Sequence, residues 1–171
     1  MPYALCCRIL PRKMNTTVVG PEYAEWLRAR EHYEAACALS WAGKPDVLNH
    51  PNWQCQILCT SIEVALKAFL LAKKIGGTDA GAREKLKDNF GHNLQKLLGR
   101  ATYEGLTEFV KITERDVERI RMANPFYMER DWIYAEKRGF ASYPAPHELR
   151  DLAVRILDGI CEVVKPRAVG R

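Results

Sequence analysis

The sequence predicts an all-α protein, a four-to-five-helix bundle in a single domain, and three observations carry that prediction. No stretch of useful length alternates polar and apolar residues with the period of a strand. Apolar residues recur instead at helical spacing in successive segments. One of these, Trp53 to Ile75, is apolar on nearly every side, with only Thr60, Ser61, Glu63 and Lys67 interrupting between Ile57 and Ala72. A helix of that kind belongs inside a core, surrounded by other helices. A membrane span needs about 18 consecutive apolar residues with few or no charges. Glu63 and Lys67 break this run four residues apart, acid before base, where they can pair on one face. The stretch reads as the buried central helix.

The elements follow in order. Gly20-Pro21 opens the first helix, since proline suits a first turn; Tyr23, Trp26, Leu27, Tyr33, Cys37, Ser40 and Trp41 then share one face of a helix over 22–42. Gly43-Lys44-Pro45 ends it. Asn49-His50-Pro51 starts the central helix, which stops near Gly76-Gly77. The segment TDAGAREKLKDNFG is polar, with a weak helical turn or two, and reads as an exposed connection. His92 opens a short helix with Leu94, Leu97, Leu98 and Ala101 inward. Leu106, Phe109, Val110, Thr113, Val117 and Ile120 mark the next, which Asn124-Pro125 terminates; Glu114, Arg115, Glu118, Arg119 and Arg121 give it a solvated, salt-bridged outer face. Phe126 to Tyr143 is a structured excursion rich in aromatic and charged residues. Pro144 and Pro146 introduce a last helix with Leu149, Leu152, Ala153, Ile156, Ile160 and Val163 at helical spacing.

Size and composition agree with one soluble domain. A chain of 171 residues buries about two-thirds of its unfolded surface, and 47% hydrophobic with 27% charged residues is ordinary for a globular protein. The formal charge of +5 sits at the ends: residues 1–13 and 165–171 each carry +3, which leaves −1 on 14–164. A body so near neutrality argues weakly for nucleic acid. Residues 1–20 are expected to form a disordered or extended arm, of which 1–13 resemble an upstream extension before a more ordinary opening at Met14. Residues 21–165 form the bundle, and 166–171 a basic tail. Pro11 and the position of the charges after a short apolar run speak against a signal peptide.

Six cysteines (Cys6, Cys7, Cys37, Cys55, Cys59 and Cys161) are scattered, with no CxxC pair and no histidine at zinc-finger spacing. They read as structural thiols of a reducing cytoplasm, with no metal and no cofactor. A P-loop, GxGxxG, HExxH and GxSxG are all missing.

Two motifs together are distinctive: Ile62-Glu63-Val64-Ala65-Leu66-Lys67-Ala68, then Gly91-His92-Asn93-Leu94-Gln95-Lys96-Leu97-Leu98 after a polar connection. The pairing resembles the HEPN domain family, small helical-bundle proteins, over roughly residues 22–164. The resemblance implies an up-and-down bundle that dimerises, and a homodimer is expected as well because the aromatic segment 126–143 offers more apolar surface than four helices need to cover themselves; no membrane partner is expected. The resemblance also implies metal-independent RNases, toxins, partners of nucleotidyltransferases or non-catalytic binding modules as functions. The nuclease members carry an arginine followed by histidine after four to six residues, late in the chain. Here Arg28 and Arg30 lie too close to His32, and Arg83 and Arg138 lie nine residues before His92 and His147. The departure favours a non-catalytic module binding a partner protein, a nucleotide or RNA, in a toxin-antitoxin or defence setting. The competing reading is a metal-independent RNase.

Five residues are the binding candidates: Lys67, His92, Arg130, Tyr134 and Arg138. His92 is either a neutral imidazole available to a ligand or a side chain that locks the start of its helix. Lys67 either reaches a phosphate or pairs with Glu63, as a lysine in an apolar helix must pair or reach outward. The segment 126–143 holds six of the chain's aromatics (Phe126, Tyr127, Trp132, Tyr134, Phe140 and Tyr143) with Arg130, Lys137 and Arg138 among them. Such a composition suits stacked bases and phosphates. The alternative is a plug on the open side of the bundle, favoured by Glu129, Asp131 and Glu136, which nearly cancel the local charge.

Overall fold

Six α-helices build the protein in a computed structural model that describes residues 20–41, 51–77, 81–130, 132 and 143–165. They are α1 (Pro21–Trp41), α2 (Pro51–Ala72), α3 (Ala82–Phe90), α4 (Leu94–Tyr103), α5 (Glu114–Met128) and α6 (Pro146–Val164), with a 3₁₀ turn at Leu106–Glu108. No strand occurs among the described residues. The all-α expectation is met, with six helices where four or five were expected. The N-terminal arm up to residue 19, the expected stop Gly43-Lys44-Pro45, the starting residues Asn49 and His50 and the basic tail lie outside the described residues.

Helix α2 is the centre of the packing, against α1 along its length, against α6, and against α4. Cys55, Cys59, Ile62, Ala65, Leu66, Ala68, Phe69 and Leu70 are fully buried on it, as the uninterrupted apolar run required. Each such Leu or Ile contributes about 1.5–3 kcal/mol by leaving water. Asn52–Ala72 is long and apolar enough to cross a membrane, yet 72% of that window is buried inside the bundle. Helix α1 uses a narrower face than its aromatic pattern predicted. Ala29 and Ala36 are buried while Tyr23, Leu27 and Tyr33 are only half-buried. The two small residues let the backbones approach, so that Ser61 Oγ donates to Ala29 O at 2.8 Å. Trp26 reaches across to α6, donating from Nε1 to Leu157 O at 2.9 Å.

Three sequence expectations need correction. The polar stretch after Gly77 is not merely an exposed connection, because α3 buries Ala82 and Leu86. Arg83 fastens it to α1 through Glu25 at 2.9 Å. Two apolar residues at i, i+4 suffice to seat so short a helix. The helix expected from Leu106 begins instead at Glu114. Thr113 and Asp116 close a capping box there: Thr113 N donates to Asp116 Oδ2 at 2.9 Å, and Asp116 N to Thr113 Oγ1 at 3.2 Å. Phe109 and Val117, counted inward from the false helix, are 41% and 50% exposed. Finally, Asn124-Pro125 does not stop α5. The helix runs on to Met128 with Pro125 inside it, and its extra turn buries Tyr127.

The outer face of α5 carries charge as expected, but part of it is tied to α6. Asp116 accepts from Arg155 at 2.7 Å and Arg119 at 3.3 Å, and Arg119 also donates to Glu148 at 2.8 Å. Burial would raise the Asp116 carboxyl, but hydrogen bonds from Arg155 and Thr113 hold it below the usual aspartate value. On α6, Leu149, Leu152, Ala153, Ile156 and Ile160 are buried as predicted, and Val163 is half-buried.

Candidate functional site

The two distinctive motifs meet at a buried carboxylate. Glu63 is on α2, one turn before Lys67, and is 5% exposed. A carboxylate there must have its lone pairs filled, because an unpaired buried charge is far too costly to hold. Three donors or potential donors surround it. Lys67 Nζ reaches Glu63 Oε1 at 2.7 Å. Tyr127 Oη donates to Oε2 at 2.6 Å, and His92 Nδ1 lies 2.9 Å from the same oxygen. Thr60 Oγ1 lies 3.3 Å from the Tyr127 hydroxyl, behind the pair. Burial, reinforced by the negative charge of Glu63, pushes the Tyr127 phenol well above its ordinary value and keeps it a donor.

The chain approaching His92 is shaped for this contact. Gly91 ends α3 with φ of +53°, a conformation in which glycine has no Cβ penalty. Its carbonyl turns to Lys67 Nζ at 2.9 Å, so the lysine bridges α2 to the α3–α4 turn. Asn93 caps α4 by accepting from Lys96 N at 2.9 Å. Asn124 of α5 accepts from Leu94 N at 2.7 Å, which fixes the first turn of α4 against α5. His92, between the glycine and the cap, is thus held against Glu63, with its ring edge-on to Tyr127 at 5.9 Å.

A carboxylate oxygen only accepts, so His92 Nδ1 carries the proton in this contact in either charge state of the ring. Nε2 is left to face outward, and the side chain is 57% exposed. The arrangement can present a fixed imidazole edge to a ligand, as hydrogen-bond acceptor when neutral and as cationic donor when protonated.

Of the five sequence candidates, Lys67 and His92 share the Glu63 carboxylate. Arg130 is exposed in the turn that ends α5, at a positive φ of 56°, and none of the described contacts joins it to Lys67 or His92. Tyr134 and Arg138 lie outside the described residues, as do Phe140 and Lys137. The aromatics of the excursion that are described pack on one another. Phe126 stacks on Trp132 at 5.8 Å, and Tyr143 meets both edge-on. Trp132 is buried, so its face serves the core. Glu63 and Tyr127 are the site residues missing from the sequence candidates. A buried acid beside an exposed histidine across 29 residues has no local signal, but Tyr127 continues the helical spacing of Ile120 and Ala123.

Among the described residues no three His, Cys, Asp or Glu side chains gather as a metal ion would require. Cys37, Cys55, Cys59 and Cys161 are not in disulfides, and Cys6 and Cys7 lie outside the described residues. Comparison of the chain with protein-family models, with curated proteins and with solved structures finds no match.

Proposed function

We propose that the protein is a HEPN-like, non-catalytic interaction module, binding a partner protein or a nucleotide or RNA by the face on which His92 emerges. The observation that carries this reading is the position of Lys67. Its ammonium lies between Glu63 Oε1 and Gly91 O, with the side chain only 16% exposed. The basic residue of the first motif is therefore occupied in holding the α3–α4 turn rather than reaching a phosphate. What the site offers outward is one imidazole edge. The missing arginine–histidine spacing points the same way. A nucleotidyltransferase partner belongs to this reading through the HEPN resemblance alone, and a homodimer through that resemblance and the apolar surface of the aromatic segment.

One observation favours a metal-independent RNase as the second reading. Glu63 fixes the tautomer of His92 and leaves Nε2 outward, as a general base for a ribose 2′-hydroxyl would need. That reaction also needs a cation for the developing charge on phosphorus, and no described arginine contacts His92. The test is RNA cleavage in EDTA beside RNA binding, with wild type and His92→Ala. Binding without cleavage, weakened in the variant, supports the module. Cleavage that disappears in the variant replaces it with the nuclease.

A further inference from the structure

A cavity of about 260 Å³ opens where the N-terminal part of α2 meets α1 and the first turn of α6. Its lining residues on α2, Gln54 and Leu58, lie toward the start of the helix from Glu63, and neither Glu63, Lys67, His92 nor Tyr127 lines it, so it is separate from the Glu63 site. Ala36, Leu58 and Pro146 give it apolar walls, and Gln54, His147 and Arg150 give it polar ones. The three polar side chains have no hydrogen bond or ion pair to any described residue. The acid of the same first turn, Glu148, is turned away: Oε1 accepts from Arg119 at 2.8 Å and Oε2 from Ala145 N at 3.1 Å. Among the described residues no carboxylate lines the cavity, and its lining there is an amide, an imidazole and a guanidinium over an apolar floor.

From this we infer that the cavity is a binding site for a small oxyanion, carboxylate or phosphate monoester, with a short apolar body. Arginine presents a planar fork of donors that matches either headgroup in a bidentate pair. Gln54 and His147 add donors beside it, and Leu58 and Ala36 receive the hydrocarbon part. The volume lies just under the ~300 Å³ at which ligand pockets ordinarily begin, which restricts the occupant to a few carbons beyond the headgroup.

The test uses the full-length protein with butyrate, propyl phosphate and inorganic phosphate as probes, followed by the NMR signals of the His147 ring. Butyrate or propyl phosphate is expected to shift them saturably, and more tightly than inorganic phosphate; the better of the two identifies the headgroup. Arg150→Met removes the fork from a side chain that forms no ion pair with a described residue, and should weaken binding at least tenfold with wild-type melting. The inference fails if no probe gives a saturable shift, if Arg150→Met binds as wild type does, or if inorganic phosphate binds as tightly as the alkylated probes.

Discussion

The Tyr127 hydroxyl sits 2.6 Å from Glu63 Oε2, joining residues 64 positions apart in the sequence. This bond gives the last turn of α5 its reason to exist beyond Pro125. It also supplies Glu63 with a donor that does not titrate near neutrality, so the carboxylate stays anchored whatever the charge of His92. Tyr127→Phe should destabilise the protein by about 1.5–3 kcal/mol, the value of a hydrogen bond to a charged group. Glu63→Gln should cost about 3–5 kcal/mol, because it leaves the Lys67 ammonium without its counter-charge. Urea unfolding of the two single variants and the double variant measures both. Strict additivity would show that the pair is not coupled.

Two glycines on helices should respond to alanine with opposite sign. Gly99 of α4 is exposed, and a Cβ there meets nothing within 4 Å. Gly99→Ala should stabilise by about 0.5–1 kcal/mol through helix propensity. A Cβ on Gly159 of α6 would come within 2.6 Å of Val110 Cγ2 and 2.7 Å of Phe109 O. The segment after the 3₁₀ turn leans on α6 at that point, and backbone cannot give way as a side chain can. Gly159→Ala should therefore destabilise by about 1–3 kcal/mol despite its better propensity. Thermal melts of both variants decide the signs.

Asp116 makes stability depend on acid. Its folded carboxyl is held below the ordinary value, so folding favours the ionised form. The associated stability is complete above the unfolded value of about 4 and is lost as pH falls through the lower folded value. Asp116→Asn should thus be clearly less stable than wild type at pH 7, by about 2–4 kcal/mol for a weakened cap and lost charge-assisted bonds. The gap should close in strong acid. Unfolding free energies of the pair from pH 7 to pH 2 measure this, and a gap constant with pH would contradict it.

The thiols on α2 report folding. Burial pushes Cys55 up to about 12 and Cys59 well above its ordinary value, so neither forms thiolate near neutrality. A thiol reagent at pH 8 should label neither in the native protein and both in urea. Native labelling of Cys59 as fast as in urea would mean that α2 is not the centre of the packing.

How far the sequence could be read depends on where the signal resides. Helices α2 and α6 bury broad apolar faces, and hydrophobic periodicity marks them without help from neighbours. Helix α3 buries only Ala82 and Leu86 among charged residues, and its anchor, Arg83 to Glu25, joins residues 58 apart. No window of sequence contains that contact. The start of α5 was legible in principle, because Thr113 and Asp116 stand at cap spacing, but the apolar residues from Leu106 suggested an earlier start. At the site, Glu63 with Lys67 and His92 after Gly91 were visible as motifs. Their meeting depends on a glycine turn, and their third partner comes from a helix that Pro125 seemed to close.

The division of labour between Lys67 and His92 is the sharpest expectation at the site. Lys67 is largely covered, and it holds both Glu63 and the Gly91 carbonyl. Lys67→Met should leave the Glu63 carboxylate short of its cation and cost about 3–5 kcal/mol. His92 is more than half exposed, and Glu63 keeps Lys67 and Tyr127 when the ring is removed. His92→Ala should then cost no more than about 1 kcal/mol. Its effect should fall on binding, because the ring edge is what the site presents outward. Urea unfolding set beside RNA or partner affinity separates the two roles. A His92→Ala protein that loses several kcal/mol while binding as wild type does would make the imidazole a structural lock, and the binding face would then lie elsewhere on the bundle.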